Sequence, residues 1–279
     1  MATAQGMNKA LDSNGGQMVA ADRIETLLER VDVKKRFEEI LGAKAAGFIS
    51  SIISAYKTNK MLQTCPPMSV VSSAMVAATL DLPIVQSLGY AHIVPYRENG
   101  VPVAQFQIGW KGFVQLAIRT GQYKTMNAAE IYEDEIDVWN PITGELKIRP
   151  QSEWKDRDSG SGKIVGYAAF FRTNNGFEKF LFMTVAQVER HAKKYSKSYQ
   201  KDSGQWVKDF DSMAKKTVLK LLLSKFGLLS IEMQKAIKVD QAVVDVDGEV
   251  QAYPDGTGKH DAIDAETVPP ADPDETPVS

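Results

Sequence analysis

The sequence has one cysteine, Cys65, in 279 residues. An intrachain disulfide is therefore impossible, and a reducing cytoplasm is the expected setting. Beside Pro66 and Pro67, Cys65 reads as small filler rather than as a nucleophile. No run of about 18 apolar residues occurs, so no transmembrane helix is expected. MATAQGMNKALDSNGGQM, at the start, lacks the apolar core of a signal peptide. The histidines, His92, His191 and His260, are scattered without zinc-ligand spacing. No G-x-S-x-G elbow is present. SGSGKIV at 159–165 resembles a phosphate loop only superficially. The first glycine of G-x-x-x-x-G-K-[ST] would fall on Arg157, and Ile164 stands where Ser or Thr should hold magnesium. ATP is not expected.

Charge is unevenly spread rather than absent. The formal net charge is −2, yet residues 240–279 hold eleven acids and one base, Lys259. Residues 160–239 hold fifteen bases and six acids. A basic body followed by an acidic tail implies a polyanion-binding surface and a segment that competes for it.

Residues 1–21 are polar and aperiodic and are expected to be disordered. The segment 240–279, with five prolines, is expected to be an acidic disordered tail. Residues 22–239 read as one continuous unit without a linker. The front is helical: KKRFEEILGAKAAGFISSIISAY places Phe37, Ile40, Leu41, Phe48, Ile52 and Ile53 at near-helical spacing. PPMSVVSSAMVAATLDL opens a further helix on proline. LGYAHIVPY and AQFQIG flank an NG turn, a hairpin signal. A short helix, WKGFVQLAIRTG, precedes strands YKTMNAAEIY, EIDVW and ELKIR. IVGYAAFFRT and FEKFLFMT form a second hairpin about NNG. Thr184 and Gln187 have the spacing of a capping box. GQWVKDFDSMAKKTVLKLLLSKFG reads as one long helix, and SIEMQKAIKV as the last. The fold class is α+β: an antiparallel, hairpin-rich sheet packed against a long helix, with helical N-terminal and C-terminal segments.

In RHAKKYSKSYQK, a helix continued from Val185 places Arg190, Lys194, Lys197 and Lys201 on one face, with Lys193 beside them. That ridge is roughly 17 Å long. A solvated lysine face is the plain alternative. Two further elements favour a binding surface. Lys215, Lys216 and Lys220 lie off the stripe Trp206, Phe210, Met213, Thr217 and Leu221. Lys111, Gln115 and Arg119 share the polar side of a short helix, and Lys124 follows. Cations for a phosphate backbone, with Trp110, Tyr123, Tyr199 and Trp206 as rings for base faces, suit single-stranded nucleic acid. Each ring is alternatively core. EIYEDEID (Glu130, Glu133, Asp134, Glu135, Asp137) carries carboxylates of the type Mg²⁺ favours, or it is a solvated strand edge.

The strings MVAATLDLPI, LGYAHIVPY, QFQIGWKGFVQLAIRTGQYK, WNPITGE, GYAAFF, HAKKYSKS and SMAKKTVLKLLLSKFG, in that order, resemble the RecT family of phage recombinases over roughly residues 22–240. The resemblance implies an ATP-independent single-strand annealing protein. It implies single-stranded DNA and annealed duplex as ligands, and homo-oligomeric rings or helical filaments. A phage exonuclease and a host single-strand-binding protein are the implied partners. It implies a cytoplasmic setting in a bacterial host, in homologous recombination and DNA repair. No catalytic residue, no metal site and no cofactor follow from it beyond Mg²⁺ as a DNA counterion. It assigns phosphate contacts to Lys111, Arg119, Lys124, Lys215, Lys216 and Lys220. Two other readings stand beside this one: a Mg²⁺-dependent nuclease using the acids at 130–137, and an adaptor whose tail recruits replication or exonuclease partners.

Overall fold

The structure, a computed structural model, describes residues 18–98, 100–155, 162–245 and 247–253. Most of the N-terminal segment, part of the phosphate-loop look-alike and the tail beyond 253 lie outside the described residues. The chain divides into two compact units where one had been expected. The first runs to Ile108 and regains the chain at Ala242; the second is Gly109–Gln241. The boundary has no linker composition because strand passes to helix within two residues.

In the first unit, helices α1 (Met18–Glu29), α2 (Val31–Leu41), α3 (Ala45–Thr58) and α4 (Pro67–Thr79) precede the hairpin of β1 (Ala91–Glu98) and β2 (Val101–Ile108). α1 starts inside the stretch expected to be disordered. The helical run over 34–56 is broken at Gly42, which adopts φ 54°, a left-handed conformation that glycine takes without steric penalty. α4 is buried on every side from Val70 to Ala78, including Ser72 and Ser73. Small residues make this possible, and their hydroxyls dock the sheet. Ser73 Oγ donates to Ala104 O at 3.2 Å, and Ala104 N–H donates to Ser69 Oγ at 3.1 Å. Ile24, Leu28, Phe37, Ile52, Tyr56 and Phe106 complete the core.

The segment expected to be a disordered tail is ordered in its first part. Ala242 bridges Phe106, and β8 (Val243–Val244) pairs with β9 (Val250–Ala252). Asp245 Oδ1 accepts the backbone N–H groups of Glu249 and Asp247, each at 2.9 Å, and these bonds hold its carboxyl below the usual range. Val243, Val244 and Val250 bring apolar surface that the acidic composition outweighed in the sequence pattern.

In the second unit, helix α5 (Trp110–Arg119) leads into an antiparallel sheet of order β3-β6-β7: Tyr123–Tyr132, Ile164–Thr173 and Glu178–Thr184. A separate hairpin joins β4 (Ile136–Asn140) to β5 (Glu145–Ile148). β6 is buried on both faces, by the two-residue period of a strand. Ala168, Phe182, Ile131 and Leu146 cluster on one side, with Trp139 edge-on to Phe182 at 5.5 Å. Gly166 admits no side chain, since a Cβ there would lie 2.4 Å from Met183 O. Next come α6 (Val185–Tyr195), α7 (Lys197–Gln200), α8 (Gln205–Lys208), α9 (Phe210–Phe226) and α10 (Ile231–Val239). α9 packs against all three strands and α5. The antiparallel sheet on a long helix, with helices before and after, agrees with the expected class.

Two expectations within these helices are corrected. The long helix over 204–226 is interrupted at Asp209, whose extended backbone (φ −156°) lets its carboxylate cap α9 by accepting Ser212 N–H at 3.1 Å. The lysine ridge is likewise interrupted at Ser196, which leaves helical geometry to cap α7. The capping box of Thr184 and Gln187 forms as expected, both bonds present.

Candidate nucleic-acid interface

The basic residues singled out from the sequence fall into three settings in the second unit. The first is the exposed surface of α6 and α7. Arg190, Lys193, Lys194, Lys197 and Lys201 lie there, all of them exposed. None has a carboxylate within ion-pair distance among the described residues. Lys194 Nζ lies 5.0 Å from the Tyr195 ring centroid, a cation–π contact that leaves its charge uncompensated. Gln200 Nε2 donates to Lys193 O at 2.6 Å and folds α7 back on the end of α6. The straight ridge is thus replaced by two short helical faces meeting at Ser196.

The second setting is the start of α5. Lys111 is exposed, and Gln115 and Arg119 follow it along the helix. Trp110 is half-buried, with Lys111 Nζ 5.9 Å and Lys215 Nζ 5.7 Å from its ring centroid. Lys215 also pairs with Glu130 of β3, both side chains largely shielded from water. Lys215 is therefore a compensated cation, and Trp110 is the one ring candidate bracketed by two ammonium groups. Lys124 is exposed at the start of β3.

The third setting is a cavity whose wall includes Lys216, Lys220, Asp240, His191, Ser196 and Trp206. Lys216 Nζ donates to Asp240 Oδ1 at 2.8 Å. Lys220 Nζ lies 3.4 Å from Asp240 Oδ2, an ion pair without hydrogen-bond geometry. The Lys216 side chain is 7% exposed and that of Asp240 is 0%. This corrects the expectation of an exposed lysine row on α9: Lys216 and Lys220 turn inward because a buried carboxylate, 24 and 20 residues away in sequence, receives them. No local pattern announces that partner.

Two ring candidates are core. Tyr123 is buried, donates its hydroxyl to Leu228 O at 3.2 Å, and has its phenol pushed above the ordinary range by burial. Trp206 is buried between Tyr199 at 5.6 Å and Phe210 at 5.5 Å. Tyr199 is half-buried at that edge.

Three of the acids near 130–137 have structural work. Glu130 takes Lys215. Glu135, buried, accepts Tyr132 N–H at 3.0 Å, and Asp134 accepts Lys155 N–H at 2.5 Å. Among the described residues no three His, Cys, Asp or Glu side chains are grouped to hold a metal ion, and no helix is long and apolar enough to cross a membrane. Tyr167, whose hydroxyl donates to Asp211 at 2.5 Å, forms a polar pair that no sequence pattern singled out.

A family model described as RecT family matches residues 46–254. That span includes most of the first unit, all of the second and the strands β8 and β9. The chain is 54% identical over 211 residues to Uncharacterized protein YqaK of Bacillus subtilis (strain 168), covering 76% of this chain and 69% of that protein. It is 30% identical over 185 residues to Protein RecT of Escherichia coli (strain K12), covering 64% of this chain and 65% of that protein.

Proposed function

The chain belongs to the RecT family, a family of recombination and strand-annealing proteins, and from that premise we propose that it binds single-stranded DNA and anneals complementary strands without a nucleotide cofactor. The observation that carries the reading is the uncompensated cation set on α6 and α7, Arg190, Lys193, Lys194, Lys197 and Lys201. Cations already paired to carboxylates have little left for phosphate; these are not so paired among the described residues. Their counterions come from solution, and releasing the counterions condensed on DNA drives binding.

Annealing requires no bond to form or break in the protein's own chemistry. Two strands repel through their phosphates, and lysines on α6, α7 and the polar side of α5 offset that repulsion. With contacts made to the backbone, the bases stay open to a second strand. A matched pair then gains about 1.4 kcal/mol of stacking per step, which a mismatch forgoes. Trp110, between Lys111 and Lys215, is the ring best placed to receive a base face. Copies of the chain assembled as a ring or filament multiply weak contacts by raising effective concentration. The setting proposed is the cytoplasm of a bacterial host, with an exonuclease that supplies the single strand and a host single-strand-binding protein as partners.

The test is annealing of two complementary labelled oligonucleotides by the full chain, followed by fluorescence without ATP, with and without Mg²⁺. Pairing faster than in buffer, with both strands intact, is expected. Hybridisation at the buffer rate refutes annealing, and shortened strands in Mg²⁺ favour the nuclease reading.

A further inference from the structure

A cavity of about 350 Å³ lies in the first unit, where the start of α2 meets α4, a size within the range of small-ligand sites. Its floor is apolar, formed by Met68, Val71 and Met75 of α4 with Val33 of α2. Methionine side chains adapt to the shape of what they cover. Its mouth is charged and carries Arg30, Arg36 and Asp32.

One polar group in the wall has no partner. Ser72 is 2% exposed, yet its hydroxyl makes no hydrogen bond among the described residues. On the same helix, Ser69 and Ser73 donate theirs to Pro66 O and Ala104 O. A buried hydroxyl left unpaired is costly, so an occupant that hydrogen-bonds to it is favoured.

The ion pairs at the mouth are of the weak kind. Arg30 reaches Asp32 through Nε at 3.1 Å and Nη2 at 2.8 Å, and Arg36 reaches Asp247 through Nη1 at 3.1 Å. All four side chains are at least 40% exposed, and such pairs exchange at little cost. Nη1 of Arg30, and Nε and Nη2 of Arg36, have no partner among the described residues. A guanidinium has five N–H donors and grips a carboxylate through two of them. Asp247, arriving from the turn between β8 and β9, shows the kind of anion this mouth takes.

We propose that the cavity binds a carboxylate carried next to a large apolar group. The apolar part lies on Met68, Val71 and Met75, the carboxylate on Arg30 and Arg36, and a polar atom of the ligand on Ser72. Fork geometry and burial make this fit, and neither depends on the net field or on the single-strand reading above. A free amphipathic acid and an Asp- or Glu-bearing segment of a partner protein share the required chemistry.

Calorimetric titration of the full chain separates these two sources. N-acetyl-leucine stands for the free acid and acetyl-Asp-Leu-amide for the protein segment. Saturable binding of at least one is expected, and the tighter of the two identifies the source. N-acetyl-leucinamide and acetyl-Asn-Leu-amide lack the carboxylate; N-acetylglycine and acetyl-Asp-Gly-amide lack the apolar group. Each control is expected to bind roughly tenfold more weakly than its parent probe. No saturable binding of either probe, or a control that equals its parent, overturns the proposal. Met68→Trp places a larger side chain in the cavity and is expected to abolish binding; a folded variant that binds as the unaltered chain does overturns it. If that variant does not fold, peroxide oxidation of Met68 and Met75 in the unaltered chain decides, read by mass spectrometry of its peptides. Oxidation is expected to slow several-fold at saturating probe, and an unchanged rate overturns the assignment.

Discussion

The two units treat their cations differently. In the first, Arg30 faces Asp32, Lys34 faces Glu38, Lys35 faces Glu39, Arg36 faces Asp247, Lys44 faces Asp81 and Lys57 faces Glu25. Lys60 and Arg97 stand outside that pattern. In the second, the compensated cations are the shielded ones, Lys215, Lys216 and Lys220, joined at the surface by Lys147 and Arg172. The set on α6 and α7 has no such partners among the described residues. A count of lysines in a region therefore does not by itself give its field. What matters for a polyanion is the charge left after local pairing, and that remainder lies in the second unit.

The strongest way to sharpen the contrast is to break one pair of each kind. Asp240→Ala leaves two shielded ammonium groups without their carboxylate and is expected to cost about 3–5 kcal/mol, read by denaturant unfolding. Asp247→Ala removes the exposed partner of Arg36 and is expected to cost less than about 1 kcal/mol. Comparable losses in the two variants would erase the distinction between buried and surface pairing.

Next in size is the binding contrast. Replacing Lys193, Lys194, Lys197 and Lys201 by alanine is expected to lower the salt slope of single-strand binding by about 0.7 for each phosphate no longer neutralised. Replacing Lys34 and Lys35 is expected to leave the slope unchanged. A slope that responds to the first-unit lysines and not to those on α6 and α7 reverses the assignment.

A smaller effect concerns what holds α6 in place. Thr184→Ala removes the capping oxygen that accepts Gln187 N–H and is expected to cost about 1 kcal/mol. The change is measured by thermal unfolding. Single-strand affinity in the folded variant is expected to change little, since no cation is removed.

The smallest effect is chemical and lies in the first unit. Cys65 is buried and its thiol is pushed up to about 11 by that burial. Alkylation of the native protein at neutral pH is expected to be far slower than that of the unfolded chain, because the thiolate is scarce and screened. Equal rates would place the residue at the surface.

Much of the fold was legible where a pattern is local. The NG and NNG turns fixed two hairpins, Pro67 opened α4, and Thr184 with Gln187 opened α6, since each signal and its consequence lie within a few residues. The misreadings came from interactions that span the chain or from caps inside a helical pattern. Ser196 and Asp209 each break a run whose apolar spacing continues through them, because a side chain there satisfies the backbone of the next helix. The order in 240–253 was hidden behind an acidic composition, although Val243, Val244 and Val250 carried the apolar signal.

The same division holds for the candidate interface. The amino-acid sequence alone determined that positive charge concentrates between residues 160 and 239, and that the cations of α6 sit on a helix with a defined start. Charge count and capping are properties of neighbouring residues. Only the tertiary structure decided which cations remain for a ligand. Lys215 and Lys216 are adjacent on one helix yet reach Glu130 and Asp240 respectively, because successive helical residues point in different directions and the surrounding elements bring a different carboxylate to each. Ion pairing depends on distance in space, and spacing along the chain does not fix that distance.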